Sequence, residues 1–319
     1  MPKLQTLEKV FPVDFIHELR ERAFNCFATV KEDYFSEMSE EDYQLIYQDI
    51  NSVARCISVR FFNQKVMTDI NNYLLPHIET LTQRTDYMIC PLYTLRLYHP
   101  NIYISEAHEK AFLQTEPHYD NGFGNHGISI WLPLESIDHE TGGLCEFTTK
   151  EIQREFPETE RNRFNFDRYL EHFESVDPLL RKGTHQSTLP IGDVLIHFNV
   201  LHGATKPKGR SRLSFNFRLI PETELSDKAK NIQELYRLMN KSLPLFNALN
   251  LANLGDRLGA ERLADDNDIE TPEGEVGRMV KHFVDSGMLW STKLSPVKVH
   301  WSDEFKWSER LFSEGQLNG

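Results

Sequence analysis

The chain has 319 residues, of which 39% are hydrophobic and 26% charged, a composition typical of a globular protein with a full apolar core. Its formal net charge of -13 repels phosphate groups at long range, and no dense run of Lys and Arg offsets it, so we expect no nucleic-acid partner. No apolar run reaches the ~18 residues that span a bilayer, so no membrane partner is expected either.

The cysteines and the first residues bear on the compartment. The four cysteines are widely spaced and include no Cys-x-x-Cys pair, which disfavours both a zinc site and a disulfide framework. They are Cys26, Cys56, Cys90 and Cys145. The N-terminal residues lack the basic-then-apolar pattern of a secretory signal. We therefore predict reduced thiols and a cytoplasmic protein.

Helical spacing marks the beginning of the chain. Phe15, Leu19 and Ala23 recur at four-residue intervals, as the buried face of an amphipathic helix requires. We therefore predict that residues 1–51 form a helical segment that packs on the core.

Strand-like runs dominate the middle of the chain, residues 52–222. The stretch from Arg212 to Ile220 is the most regular, with apolar and polar residues alternating as far as Leu219, and period two over that length is a strong strand signal. Shorter runs of similar character cover 93–98, 128–134 and 194–198. Strands flanked by helices at both ends predict a fold that is mainly β with helical additions (α+β), built as an antiparallel sandwich or jelly roll.

Two further regions decorate this predicted core. Residues 151–190 are mostly polar and partly helical, and such an insertion often forms a lid or a substrate wall. Residues 227–241 carry one apolar helical face, which predicts a C-terminal helical extension over 223–319. That face is formed by Ile232, Leu235, Leu238 and Met239. These helices could shape the substrate pocket or a dimer interface, so we expect a monomer or a homodimer.

Three His-x-acid triplets occur, where roughly two are expected by chance. They are His77-Ile78-Glu79, His118-Tyr119-Asp120 and His172-Phe173-Glu174. The first and third lie in helical-looking stretches, where residues i and i+2 do not face each other. The second lies between Pro117 and Asn121-Gly122, which disfavour helix. On an extended segment its imidazole and carboxylate point the same way, as a ferrous site requires.

A third metal ligand has to come from another strand. His202-Gly203 follows a predicted turn and strand, and Arg212 and Ser214 lie on one face of the next strand. An arginine fork and a hydroxyl two residues on could bind the far carboxylate of a dicarboxylate co-substrate.

These downstream candidates have competitors. His197 lies five residues before His202, but it is mid-strand and lacks the glycine that lets backbone approach a site closely. Arg210 or Arg218 could bind the far carboxylate of the co-substrate in place of Arg212, and both alternatives stay open at this point.

Taken in order, the motifs resemble the phytanoyl-CoA dioxygenase-like family of Fe(II)/2-oxoglutarate oxygenases. The matching segments are 118–123, Trp131 to Leu134, Thr141-Gly142-Gly143, Gly192-Asp193, His202-Gly203 and Arg212. The resemblance covers about 90–220 and implies a double-stranded β-helix (jelly roll, cupin-like) core with iron ligation by His118, Asp120 and His202. It further implies 2-oxoglutarate binding by Arg212, with Ser214 as a second contact.

The sequence also departs from the family pattern. Residues 145–150 lack the usual Pro-Gly-Ser-His, and Arg96 or Tyr98 occupies the neighbourhood where some members have a lysine. Both departures concern the remaining contacts of the co-substrate.

The resemblance implies a dioxygenase that uses Fe(II), 2-oxoglutarate and O2 to hydroxylate an unactivated carbon of a small molecule, which we expect to be a biosynthetic intermediate of secondary metabolism. The Asp120 carboxylate favours hydroxylation over halogenation, while desaturation and cyclisation stay open. A catalytically silent jelly-roll metal-binding or sensor protein is the alternative of a different class. The candidate substrate contacts are Gln114, Trp131, Tyr98 and Asn216.

Overall fold

The computed structural model describes most of the chain between residues 4 and 267. The described ranges are 4–48, 52–90, 93–103, 105–120, 126–147, 150–155, 173–186, 188–198, 200–224, 239, 242–254 and 256–267.

Helices lie between the strands and after the last of them. In chain order they are α1 Val13–Tyr34, α2 Glu40–Gln48, α3 Ser52–Phe61, α4 Gln64–Thr82, α5 Glu106–Lys110, α6 Lys150–Glu155, α7 Phe173–Gly183, α8 Leu243–Asn253 and α9 Arg257–Asp265, with a 3₁₀ turn at Glu222–Glu224. Local chemistry fixes several ends. The Asn63 side chain accepts the Val66 N–H and caps α4, which terminates at Gln83 in the left-handed conformation.

The strands form two antiparallel sheets. They are β1 Gln5–Leu7, β2 Tyr87–Ile89, β3 Thr94–Tyr98, β4 Leu113–His118, β5 Ile128–Pro133, β6 Leu144–Phe147, β7 Thr184–Gln186, β8 Val194–His197, β9 His202–Thr205 and β10 Arg212–Pro221. Sheet one has the order β1-β8-β5-β10-β2, and β3 also pairs with β10; sheet two has the order β4-β9-β6-β7. Antiparallel sheets with added helices confirm the predicted α+β class.

The alternation of apolar and polar residues along most of β10 divides sheet one into two faces. Leu213, Phe215 and Phe217 are fully buried in the main apolar core, which they share with α1, α3 and α4. The side chains between them point into a cavity on the opposite face, whose other walls come from sheet two. Helices therefore cover one face of sheet one, and the other face is free to carry polar chemistry.

Several predicted elements need amendment. The N-terminal segment is helical as predicted, but it also supplies β1, which pairs with β8. Residues 151–190 contain helical residues as predicted and also β7, which pairs with β6. The sequence pattern missed β7 because its Thr-His-Gln sequence carries no apolar alternation. The predicted helix over 227–241 lies outside the described residues apart from Met239, and the three-part domain division stays a prediction.

Among the described residues, no helix is both long enough and apolar enough to cross a bilayer.

A buried ion-pair network joins α1, α3 and the start of α9. The Arg60 guanidinium lies 2.7 Å from a carboxylate oxygen of Asp33 and 2.6 Å from one of Asp256, and both carboxylates are at most 5% exposed. Tyr34 donates a further hydrogen bond to Asp256, at 2.7 Å. Buried charges are tolerated only when they are paired in this way.

We expect Arg60→Met to lower the free energy of unfolding by about 3–5 kcal/mol, because it leaves the buried carboxylate of Asp256 without its cation, whereas Asp33 keeps its pair with Arg262. Urea denaturation measures the change. Lys65→Met is the matched control: this lysine also forms an ion pair, with Asp69, but its side chain is 68% exposed, so we expect a change within about 0.5 kcal/mol. Equal losses in the two variants would contradict the role given to Arg60.

Candidate functional site

Strand pairing brings two histidines together at the edge of sheet two. β4 ends at His118 and β9 begins at His202, and the antiparallel register places these two residues directly opposite each other. Their ring centroids are 4.2 Å apart. Asp120 follows two residues after the strand end, and one potential ligand atom from each of the three residues lies within 4.8 Å of the others. The predicted convergence of His118, Asp120 and His202 is thus present in the structure.

This donor set fits a particular kind of metal site. Two neutral imidazoles and one carboxylate on one side of an ion leave its other coordination positions open, which is the ligand set of non-haem Fe(II) oxygenases. His202 is 4% exposed, and its Nδ1 lies 2.9 Å from the carbonyl oxygen of Val200. That contact leaves Nε2 as the ring nitrogen available to a metal ion.

The environment keeps the site residues in the states that metal binding requires. Burial and the neighbouring His197 and His118 hold the pKa of His202 well below its usual range, so its ring is neutral near pH 7. Burial alone would raise the pKa of Asp120, but Arg218 and the imidazoles hold it well below its usual range. An ionised carboxylate and a neutral imidazole are the metal-binding forms.

Arg212 lies in the same cavity, at the start of β10. Its side chain is 1% exposed, and its Nη1 donates to the carbonyl oxygens of Thr205 and Thr141, at 2.8 and 3.3 Å. Burial lowers its pKa to about 10, so it remains a cation at neutral pH. In the described part of the chain it forms no ion pair, and its Nε has no hydrogen-bond partner. A buried guanidinium without a carboxylate is the expected state of a site that binds an anion.

Ser214 and Gly142 complete this end of the cavity. The Ser214 hydroxyl is fully buried and, among the described residues, has no hydrogen-bond partner. Gly142 has φ +64°, and a Cβ atom there would meet Nη1 of Arg212 at 2.9 Å and the carbonyl oxygen of Lys206 at 2.6 Å. The Thr-Gly-Gly segment therefore needs glycine so that its backbone can pass close to the guanidinium.

The four candidate substrate contacts divide into two groups. Trp131, Tyr98 and Asn216 line the cavity, and the Asn216 side-chain oxygen is buried without a partner in the described structure. Gln114 is not among the described residues that line the cavity; its side chain bonds to His108 instead. The roles of all four residues in substrate binding stay predictions.

Three cavity residues lie beside the Asp120 carboxylate, a position that the sequence did not predict for any of them, although Arg218 was an alternative to Arg212 for binding the co-substrate carboxylate. Ser129 donates to Oδ2 of Asp120 at 2.5 Å, a guanidinium nitrogen of Arg218 lies 2.8 Å from the same oxygen, and Nε2 of His197 lies 3.5 Å from it. The alternation of β10 places Arg218 on the same face as Arg212, which was the available signal. The sequence offers His197 only as a competing metal ligand, and among the described residues it is not in the group that could hold the ion.

The buried imidazole of His197 predicts a dependence of stability on pH. Burial lowers its pKa to about 4, against about 6.5 in an unfolded chain. The unfolded state therefore binds the proton more tightly, and the stability present above about pH 6.5 is lost as the pH falls towards 4. We expect His197 to contribute roughly 1.4 kcal/mol per pH unit to this loss.

Urea denaturation with a metal chelator, repeated between pH 7 and pH 4.5, measures that slope. We expect His197→Gln to have a shallower slope than the natural protein. His139→Gln is the control, because the His139 side chain is 82% exposed, and its slope should be unchanged. The same slope in the natural protein and in His197→Gln would contradict the prediction.

Comparison with known proteins gives similarities of structure only. No protein-family model and no curated protein sequence matches the chain. The non-heme alpha ketoglutarate dependent carbocyclase SnoK from nogalamycin biosynthesis matches 69% of this chain and 80% of its own, with 10% identity and a TM-score of 0.44. HygX from Streptomyces hygroscopicus, with nickel and 2-oxoglutarate bound, matches 69% and 83%, with 12% identity and a TM-score of 0.38. EctD from S. alaskensis, with 2-oxoglutarate and 5-hydroxyectoine, matches 70% and 73%, with 14% identity and a TM-score of 0.37. The function of this chain is therefore inferred from its own residues.

Proposed function

We propose that the protein is a non-haem Fe(II)/2-oxoglutarate-dependent dioxygenase. One observation carries the proposal: two imidazoles and a carboxylate converge within 4.8 Å in the same cavity as a buried guanidinium that forms no ion pair in the described structure. The first group fits a ferrous ion with open positions. The second fits the far carboxylate of a keto-diacid. Neither the metal-binding residues nor the guanidinium would by itself require the other to lie in the same cavity.

The strand order supports a double-stranded β-helix of the phytanoyl-CoA dioxygenase-like kind. From β3 to β10, successive strands are distributed over two four-stranded arrays, β3-β10-β5-β8 in sheet one and β4-β9-β6-β7 in sheet two. In such a jelly roll, two antiparallel sheets enclose a cavity between them. His118 and His202 come from sheet two and Arg212 from sheet one, so the proposed metal ligands and the proposed carboxylate anchor line the same cavity.

The cavity residues would have separate roles. His118, Asp120 and His202 would hold the ferrous ion, while Arg212 and Ser214 would hold the far carboxylate of 2-oxoglutarate. When bound, iron with 2-oxoglutarate and O2 supplies an oxidant strong enough to remove hydrogen from an unactivated carbon. The protein then has to orient the substrate and keep bulk water out, and the buried side chains of Trp131 and Tyr98 suit that task.

We propose a small molecule as the substrate and hydroxylation as the outcome, because Asp120 occupies the position that a halide would need. The net charge of -13 opposes a nucleic-acid substrate. We further propose that the substrate is a biosynthetic intermediate. The protein itself is proposed to be cytoplasmic and to be a monomer or a homodimer. Desaturation and cyclisation begin with the same hydrogen abstraction as hydroxylation. The product therefore distinguishes the three reactions.

Substrate-stimulated O2 uptake with a metabolite collection tests the proposal. A true substrate should raise both O2 consumption and succinate release, and its product should gain one oxygen atom; loss of two hydrogen atoms instead would identify desaturation or cyclisation. Asp120→Ala is the matched control and should abolish the coupled release. A protein that binds iron and 2-oxoglutarate but forms no succinate with any compound would favour the silent sensor instead.

A further inference from the structure

The two carboxylate oxygens of Asp120 have different surroundings. Oδ2 accepts the Ser129 hydroxyl at 2.5 Å and lies 2.8 Å from Nη2 of Arg218, whereas no described residue donates a hydrogen bond to Oδ1. A carboxylate oxygen has about two acceptor positions, so the two donors occupy those of Oδ2. Oδ1 lies 3.8 Å from Nε2 of His118 and Oδ2 lies 4.0 Å from Nε2 of His202, so both oxygens are near the proposed metal, but among the described residues only Oδ1 has its acceptor positions unoccupied.

The two donors come from the opposite sheet and are neighbours in it. Arg218 on β10 and Ser129 on β5 are direct cross-strand partners in sheet one. Asp120 lies beyond the end of β4 in sheet two. The backbone hydrogen bonds of that strand therefore do not fix the position of its side chain. The Asp120 side chain is 10% exposed and that of Arg218 is 20% exposed, so their attraction is only partly screened by water.

We propose that Arg218 is a positioning residue which, together with Ser129, fixes Asp120 as a one-oxygen metal ligand through Oδ1. The inference rests on the proposed metal centre. A carboxylate that is free to rotate could bind a metal ion through both oxygens and occupy a position that the co-substrate needs. Holding Oδ2 on a guanidinium prevents this and keeps Oδ1 directed at the ion.

Metal affinity measured with Co(II), without 2-oxoglutarate, tests the proposal. We expect Arg218→Met to bind Co(II) about 10–100-fold more weakly, the usual effect of losing a residue that orients a ligand. Arg218→Lys, which keeps a donor and the charge, should recover part of the affinity. The matched control is Arg96→Met, which removes another cavity arginine that makes no contact with Asp120 in the described structure. Its affinity should be unchanged.

A rescue experiment separates positioning from a merely structural role. Asp120→Ala leaves space beside Arg218, where added formate can take the place of the carboxylate. Formate should therefore restore Co(II) binding and its visible absorption in Asp120→Ala, and should fail in the double variant Asp120→Ala/Arg218→Met. Equal rescue in both backgrounds would overturn the proposal.

The possible failures are distinguishable. A natural protein that binds no Co(II) would overturn the metal centre itself, whereas Co(II) binding that is equally tight in Arg218→Met would overturn only the role of Arg218. Thermal unfolding shows whether each variant is folded. Should Arg218→Met not fold, Ser129→Ala and Arg218→Lys carry the test: Ser129→Ala removes one donor to Oδ2, so unchanged affinity in both would overturn the proposal.

Discussion

Replacing His202 with alanine should weaken metal binding by more than 100-fold and abolish any turnover of 2-oxoglutarate. His202 supplies one of two imidazoles to the proposed ion. It is 4% exposed, so water from the solvent cannot readily take the place of the lost ligand. Loss of a direct ligand should exceed the 10–100-fold effect of losing a residue that only orients one. Calorimetric titration with Fe(II) under anaerobic conditions, followed by a succinate assay, gives both quantities.

The control for this variant is His139→Ala. The His139 side chain is 82% exposed and lies outside the cavity lining, so both metal affinity and turnover should be retained. His202→Ala that still binds iron at the affinity of the natural protein would show that the ion, if bound, lies elsewhere.

Replacing Arg212 with glutamine should weaken 2-oxoglutarate binding by about 10–100-fold while leaving the affinity for metal alone unchanged. The guanidinium is the buried cation offered to the far carboxylate, and hydrogen bonds to charged groups contribute about 1.5–3 kcal/mol each, which corresponds to that range of affinity. The free protein should lose little stability through lost ion pairing, because Arg212 forms no ion pair in the described residues. Titration of the iron-loaded protein with 2-oxoglutarate measures the effect.

Arg210→Gln provides a close comparison for that variant. Arg210 lies two residues earlier and pairs with Asp138, but its side chain is 55% exposed and does not line the cavity. It was also an alternative anchor in the sequence. If Arg210→Gln impairs 2-oxoglutarate binding and Arg212→Gln does not, the anchor has been misassigned.

Two of the three metal ligands could be predicted from the local sequence. His118 and Asp120 are two residues apart beside residues that disfavour helix, so an extended segment was expected to direct both side chains to one side. The alternation of β10 likewise separated its core residues from Arg212 and Ser214. Both inferences rest on the period of a strand, which the sequence shows directly.

The neighbours of Asp120 could not be predicted in the same way. Ser129, His197 and Arg218 meet its carboxylate only because β5 pairs with β8 on one side and with β10 on the other, in one particular register. A shift by one residue would turn Arg218 towards the apolar core. The spacing of residues in the sequence does not reveal which residues of neighbouring strands pair with each other. For the same reason Gln114, on β4, was grouped with the cavity although its side chain bonds to His108.

The most direct test of the central claim is anaerobic addition of Fe(II) and 2-oxoglutarate to the folded protein. A keto-acid chelated to a ferrous ion gives a weak visible charge-transfer band, and we expect this band to saturate at one iron and one 2-oxoglutarate per chain. It should be absent in His202→Ala and should require more 2-oxoglutarate in Arg212→Gln. A natural protein that is folded, by its thermal transition, but shows no band at saturating concentrations of both would contradict the assignment.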